Sequence, residues 1–153
     1  MDSMTQLQGI LAASADRENP SPEELKEMMD SVQTIAVVGI SRNPEKAARR
    51  VPSYMAAHGY EVIPVNPFVD RVLGKDAKDS LPEITEPVDM VLVFRPSEEA
   101  AKIAEVAMAR EEKPIIWLQE GIQADPVAAK AREAGITVVQ DLCIYKVHKA
   151  LAP

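Results

Sequence analysis

Cysteine occurs once in this 153-residue chain, histidine twice, tryptophan once, phenylalanine twice and tyrosine three times. Each scarcity excludes a class of chemistry. A lone thiol, Cys143, can form neither an internal disulfide nor a cysteine-based metal site, and it suits a reducing cytoplasm. It follows the last apolar run, where a buried thiol is the default. His58 stands beside a helix C-cap, a place histidines take for dipole reasons, and His148 is expected to be exposed in the terminal segment. Two histidines leave little for metal or nucleophilic catalysis, no Ser–His–Asp or Cys–His arrangement can be argued, and no carboxylate pair stands out. The chain is therefore expected to lack catalysis of its own.

Long apolar runs are missing too. None approaches the roughly 20 residues that cross a bilayer. The opening MDSMTQLQG has no basic segment followed by an apolar core, so no secretory signal is expected, and the reading is of a soluble cytoplasmic protein with no membrane partner. Positive charge is in deficit, 17 basic against 24 acidic residues, for a net charge of −7. Such a chain repels phosphate backbones, so nucleic acid is not an expected partner. The basic residues that cluster, between 42 and 50, resemble a site for one small polyphosphate.

What is present is the grammar of a parallel α/β domain. Short aliphatic runs at 35–40 (IAVVGI), 61–66 (EVIPVN), 89–94 (DMVLVF), 114–119 (PIIWLQ) and 136–140 (ITVVQ) read as five strands. They are continuously apolar rather than alternating, as strands covered on both faces are. Helical patterns at 47–58, 97–110 and 125–134 separate them, and the less regular span 68–88 is expected to hold a short helix near 80–84. Two helices end in Gly just before a strand, at Gly59 and Gly135, as a left-handed C-terminal cap requires. The expected fold is a single three-layer Rossmann-like α/β domain over 34–153, its five-stranded parallel sheet in the order 3-2-1-4-5. Residues 1–33 form an N-terminal helical extension. There Ser21-Pro22-Glu23-Glu24 signals a capped helix start, and Leu25, Met28, Met29 and Val32 share one face; the segment with Leu7, Ile10 and Leu11 reads as either a short helix or a mobile arm.

In an open parallel sheet, ligands bind beyond the carboxyl ends of the strands, near the point where strand order reverses. Five turns lie there. In the first, Gly39 allows close backbone approach, a helix N-terminus follows, Ser41 and Asn43 offer donors, and Lys46, Arg49 and Arg50 offer charge. Phosphate binding and an ordinary turn with solvated basic residues are equally good readings of it. The GxGxxG dinucleotide fingerprint is absent, and the second strand ends in Asn66-Pro67 rather than the carboxylate that grips a ribose diol. The third turn, Phe94-Arg95-Pro96-Ser97, could stack on a base and pair with a phosphate; alternatively Arg95 pairs with Asp89 or Glu99. In the fourth, Gln119-Glu120-Gly121-Ile122, either Gly121 brings backbone close to a ligand or the turn is plain. The fifth, Gln140 to Cys143, is less telling.

With these turns assembled, AVVGISRNPEK, VPSYMAAHGYEVIPVNP, PVDMVLVFRP and IIWLQEGI stand in order at successive strand ends. From Thr34 to His148 the chain resembles the small stand-alone CoA-binding protein family, related to the N-terminal domain of the succinyl-CoA synthetase alpha subunit. The resemblance implies a Rossmann-like domain holding coenzyme A, or an acyl-CoA, across the strand ends. Gly39, Ile40, Ser41 and Asn43 would line the phosphate turn, Lys46 and Arg49 would meet phosphates, and Val51 would pack beneath. Asn66 and Pro67 would flank the adenosine, Phe94, Arg95 and Pro96 would form the opposite wall, and Gln119, Gly121 and Ile122 would face the pantetheine. The ligase depends on a histidine in a further domain that is not found here, so its activity does not carry over. The reading is a carrier, sensor or regulatory module for CoA. The alternatives are a nucleotide-dependent oxidoreductase or transferase, or one subunit of a multi-chain acyl-CoA ligase. A homo-oligomer or an unknown protein partner stays open.

Overall fold

The apolar runs do become strands, and the sheet they form is parallel throughout. The computed structural model describes residues 2–152. The strands are β1 (Thr34–Val38), β2 (Glu61–Val65), β5 (Met90–Val93), β6 (Ile115–Leu118) and β7 (Val138–Val139), in the spatial order β2-β1-β5-β6-β7. Between β2 and β5 lie a two-residue hairpin, β3 (Arg71–Val72) with β4 (Lys75–Asp76), and a single 3₁₀ turn at Leu81–Glu83. The helices are α1 (Ser3–Ala13), α2 (Pro22–Ser31), α3 (Ala47–Ala57), α4 (Ser97–Met108), α5 (Asp125–Glu133) and α6 (Ile144–Leu151).

The Rossmann-like class is as expected, but the strand order is not 3-2-1-4-5. Counting only the five strands of this sheet it is 2-1-3-4-5, because the strand at 90–93 lies against β1 and not outside β2. The reason is in that strand's composition. Met90–Val93 are all buried and pair with Ile35–Val38 on one side and Ile115–Leu118 on the other. An edge position would leave one ladder unpaired and the run exposed. The β2 edge is closed instead by the backbone of Lys78, which donates to Pro64 O at 2.9 Å and accepts from Asn66 N at 2.8 Å. The consequence is functional: the first and third turns become neighbours at the switch point.

The two faces of the sheet bury alternate residues of each strand. Ile35, Val37, Met90, Leu92, Trp117 and Val139 point to one side, where α1, α2, α3 and α6 pack through Leu7, Leu25, Met28, Met55 and Val147. Ala36, Val91, Val93, Ile116, Leu118 and Val138 point to the other, against the alanine-lined faces of α4 (Ala100, Ala104, Ala107) and α5 (Ala128, Ala131). Small residues there let those helices sit close to the sheet.

Ser21 and Glu24 form the expected reciprocal capping box, with Pro22 in the first turn. The segment before it is a helix and not a mobile arm, anchored by Leu7, which is fully buried. Residues 14–19 are tied to the end of β7 by a polar network. Asn19 exchanges hydrogen bonds with the Gln140 backbone (2.8 and 2.9 Å), and Asp16 accepts from Gln140 Nε2 and Arg132 Nη2, both at 2.9 Å. Burial alone would raise the Asp16 pKa, but its hydrogen bonds from Arg132 and Gln140 outweigh that and hold its carboxyl below the usual range. Gln140, at the least telling of the five turns, is therefore a structural anchor. No described helix is long and apolar enough to cross a membrane.

Candidate functional site

At the carboxyl end of β1 the chain makes a turn that only glycine fits. Gly39 has φ +89°, and a Cβ there would fall 2.7 Å from Arg95 Cδ and 3.1 Å from Phe94 O. The backbones of the first and third turns thus touch. The Asn66 side chain fastens the second turn to them: Nδ2 donates to Ile40 O at 2.8 Å while Oδ1 accepts from Phe68 N at 2.9 Å. Asn66, where a dinucleotide fold places a carboxylate, has its amide spent on shaping the site.

The loop between β1 and α3 is built by its own side chains. Ser41 Oγ accepts from Asn43 N and Asn43 Oδ1 accepts from Glu45 N, each at 3.0 Å. Pro52, inside α3, cannot supply the N–H that Ala48 O would receive, and that carbonyl accepts from Ser41 N at 3.1 Å instead. A helix-weakening residue thereby pins the loop. Lys46 is the N-cap of α3 but makes no side-chain cap, so the first-turn N–H groups stay without a capping side chain. The side chains of Arg42, Lys46 and Arg49 have no hydrogen-bond or ion-pair partner among the described residues, whereas Arg50 Nη1 donates to Glu45 O. An uncapped helix N-terminus beside three unpaired cations concentrates positive charge at this turn.

Cavities open on either side of this ridge. One, of 280 Å³, is lined by Gly39, Asn66, Pro67, Arg95, Leu81 and Ile103, with Phe68 and Val106 at its rim. Phe68 is 89% exposed, which for a phenylalanine leaves a ring face free to stack. The other, of 580 Å³, is walled by Val51 and Tyr54 of α3 and floored by Phe94, Gln119 and Ile122, then by Cys143, Tyr145 and Lys146. A further hollow of 1080 Å³ between α1 and α6 meets it at Glu120, Cys143, Tyr145 and Lys146.

Of the residues singled out in the sequence, Gly39, Asn66, Pro67 and Arg95 line the first cavity, and Val51, Phe94, Gln119 and Ile122 line the second. Ser41, Asn43, Lys46 and Arg49 sit on the loop and helix start between them. Three do not present side chains to either: Ile40 is wholly buried in the core, Pro96 is exposed at the start of α4, and Gly121 donates its N–H to Asp141 Oδ1 at 2.6 Å. Arg95 makes two hydrogen bonds to Glu99, from Nε at 2.8 Å and Nη2 at 2.9 Å, while Asp89 accepts from Gln33 N and Thr34 N. Phe68, Tyr54, Tyr145 and Lys146 were not foreseen. Phe68 could have been noticed, since it directly follows Asn-Pro; the α6 residues needed a helix that the short motif IYKVHKAL does not announce.

That helix also moves His148. It is half-buried and not exposed, with Nδ1 2.8 Å from Tyr54 Oη and its ring 5.2 Å from that of His58. Burial, with a smaller contribution from His58, lowers its pKa below the ordinary value of about 6.5. The folded state therefore favours neutral His148. Its contribution to stability is complete above pH about 6.5 and is lost as pH falls through the lower folded-state pKa. Urea unfolding is expected to show lower stability at pH 5.5 than at 7.5, with a smaller difference in His148→Gln. Equal pH dependence in both proteins would remove His148 from this role.

A CoA-binding domain family model matches residues 33–149. The chain belongs to the CoA-binding domain family. It is 41% identical over 131 residues to the uncharacterized protein YneT of Bacillus subtilis (strain 168), covering 86% of this chain and 96% of that one. Among solved structures it is similar to cell-free ID.343 from Thermus thermophilus, with TM-score 0.81, 37% identity and coverage of 87% of this chain and 100% of that one. A hypothetical protein from Pyrococcus horikoshii OT3 superposes with TM-score 0.83 at 29% identity, over 90% of this chain and 96% of the other.

Proposed function

We propose that this protein binds coenzyme A or an acyl-CoA across the strand ends, as a carrier, sensor or regulatory module without catalysis of its own. The observation that carries this reading is the first turn: an uncapped helix N-terminus with Arg42, Lys46 and Arg49 unpaired, set between a small apolar cavity and a longer one. The diphosphate and the ribose phosphate take the turn, Lys46 and Arg49. The adenine takes the 280 Å³ cavity against Phe68 and Pro67. The pantetheine takes the 580 Å³ cavity over Phe94 and beside Gln119. Gly39, Ile40 and Asn66 shape the turn through backbone and amide geometry, and Pro96 and Gly121 hold the adjoining turns.

One feature disfavours a nicotinamide enzyme. Asn66 replaces the ribose-gripping carboxylate, and its amide is already committed to Ile40 and Phe68. Calorimetry on protein refolded free of bound ligand is expected to give tighter binding of CoA than of dephospho-CoA, ATP or NAD. Undetectable CoA binding would overturn the reading, and equal affinity for dephospho-CoA would remove Lys46 and Arg49 from the ribose phosphate.

A further inference from the structure

We propose that the hollow between α1 and α6 is the acyl site of the ligand, which makes an acyl-CoA with an aliphatic chain the preferred form over free CoA. The inference rests on the CoA-binding reading and deepens it by naming the class of acyl group.

The hollow begins where the arm of the ligand ends. From the phosphate turn at β1 the longer cavity crosses the ends of β5 and β6 and reaches the start of α6 beyond β7, three strand spacings or about 14 Å away. The arm of pantetheine between phosphate and sulfur has roughly twelve bonds, as many as about four residues of backbone, which span about 14 Å when extended. At that point Glu120, Tyr145 and Lys146 line both this cavity and the 1080 Å³ hollow, so an acyl group on the sulfur passes from one into the other.

The N-terminal extension supplies the far wall. The family match begins at residue 33, so α1 lies outside the matched domain. It is nevertheless fastened to the ligand end of the sheet. Ala15 N donates to Asp141 Oδ2 at 2.8 Å, and Ser14 Oγ donates to Gln140 O at 3.1 Å. The face of α1 that lines the hollow, from Ser3 to Ala13, rises about 15 Å. An octanoyl chain, with seven carbon–carbon bonds, extends about 8 Å and fits along it.

The chemistry of the walls selects the class. The charged side chains there already have partners: Lys146 pairs with Glu120 at 2.8 Å, Asp141 also accepts from Gly121 N at 2.6 Å, and Lys149 Nζ donates to Tyr145 Oη at 3.2 Å. Between them the surface is Gly9, Ile10 and Ala13 of α1 and Ala150 of α6. Gly9 is an independent observation. It is interior to α1, where glycine is the least favourable residue after proline. A Cβ built there meets nothing within 4 Å, so no close backbone approach accounts for the glycine. What the missing side chain leaves is room in the hollow.

The test is calorimetry on the full-length, ligand-free protein with CoA, octanoyl-CoA and succinyl-CoA. Octanoyl-CoA is expected to bind at least about tenfold tighter than CoA, as the burial of two methylenes gives, and tighter than succinyl-CoA. Gly9→Leu fills the hollow at a position where a side chain meets no clash. It is expected to remove most of the octanoyl gain and to leave CoA affinity and the urea midpoint no lower than in the parent. Gly9→Ala changes the helix propensity alike but adds a single carbon, and it is expected to keep most of the gain. On a batch that binds CoA, four results overturn this inference and leave the proposed function standing: octanoyl-CoA no tighter than CoA, succinyl-CoA the tightest of the three, the octanoyl gain intact in Gly9→Leu, or an equal loss for both ligands in that variant. Undetectable CoA binding overturns the binding reading and this inference with it.

Discussion

Trp117→Ala is expected to lower the unfolding free energy by about 3–5 kcal/mol, enough to bring a domain of this size close to its unfolding threshold. Trp117 is fully buried in β6 and among the largest side chains in the core, facing the layer of α1, α2, α3 and α6. Its Nε1–H also donates to Leu142 O at 2.9 Å, which ties the middle of the sheet to the residue before Cys143. Alanine removes both the packing and the donor, leaving a cavity and an unpaired carbonyl. Trp117→Phe separates the two effects: it keeps most of the volume, and the lost hydrogen bond should cost about 1–3 kcal/mol. Urea titrations followed by circular dichroism measure both, since the protein has no other tryptophan to report by fluorescence. A midpoint for Trp117→Phe equal to that of the parent would show that the bond to Leu142 contributes nothing.

Arg95→Ala is expected to weaken CoA binding by more than tenfold, about 1.4 kcal/mol, while leaving the unfolding midpoint nearly unchanged. The side chain lines the smaller cavity and lies against Gly39, so its guanidinium can reach a phosphate at the first turn. Without ligand it is held by Glu99, whose hydrogen bonds raise the Arg95 pKa and whose own carboxyl is in turn lowered by Arg95. Both partners are about half exposed, 42% and 52%, so solvent screens the pair and it adds little to stability. Releasing the arginine with Glu99→Gln is therefore expected to tighten binding by up to about fivefold. The opposite signs of the two variants distinguish a phosphate contact from a structural ion pair. Unchanged affinity in Arg95→Ala would leave Arg95 as a clamp between Gly39 and Glu99 and nothing more.

Much of the site was legible because strand-end turns announce themselves. Gly39 must be glycine at its φ, Pro67 and Pro96 punctuate, and cations follow the first turn at helical spacing. What was not legible depends on neighbours distant in sequence. Arg95 reads the same whether it meets Glu99 or a phosphate, and only the fold shows that Glu99 holds it at present. Asn66 looked like a ligand-facing polar residue, yet its amide is committed to Ile40 and Phe68. His148 looked exposed because a short terminal segment gives no sign of the α6 helix packing on Tyr54.

Local chemistry alone determined that the chain would form parallel buried strands, which turns would carry polar and special residues, and where the helices would begin. Those features rest on side-chain burial, backbone φ preferences and capping, and each acts within a few residues. Strand order was decided only by tertiary packing, because the right-handed crossover rule allows the strand at 90–93 to lie on either side of the first pair. The all-apolar Met90–Val93 is buried on both faces and paired on both edges only between β1 and β6. That choice sets Arg95 against Gly39, and the docking of α6 beyond β7 brings Cys143 to the end of the same cleft.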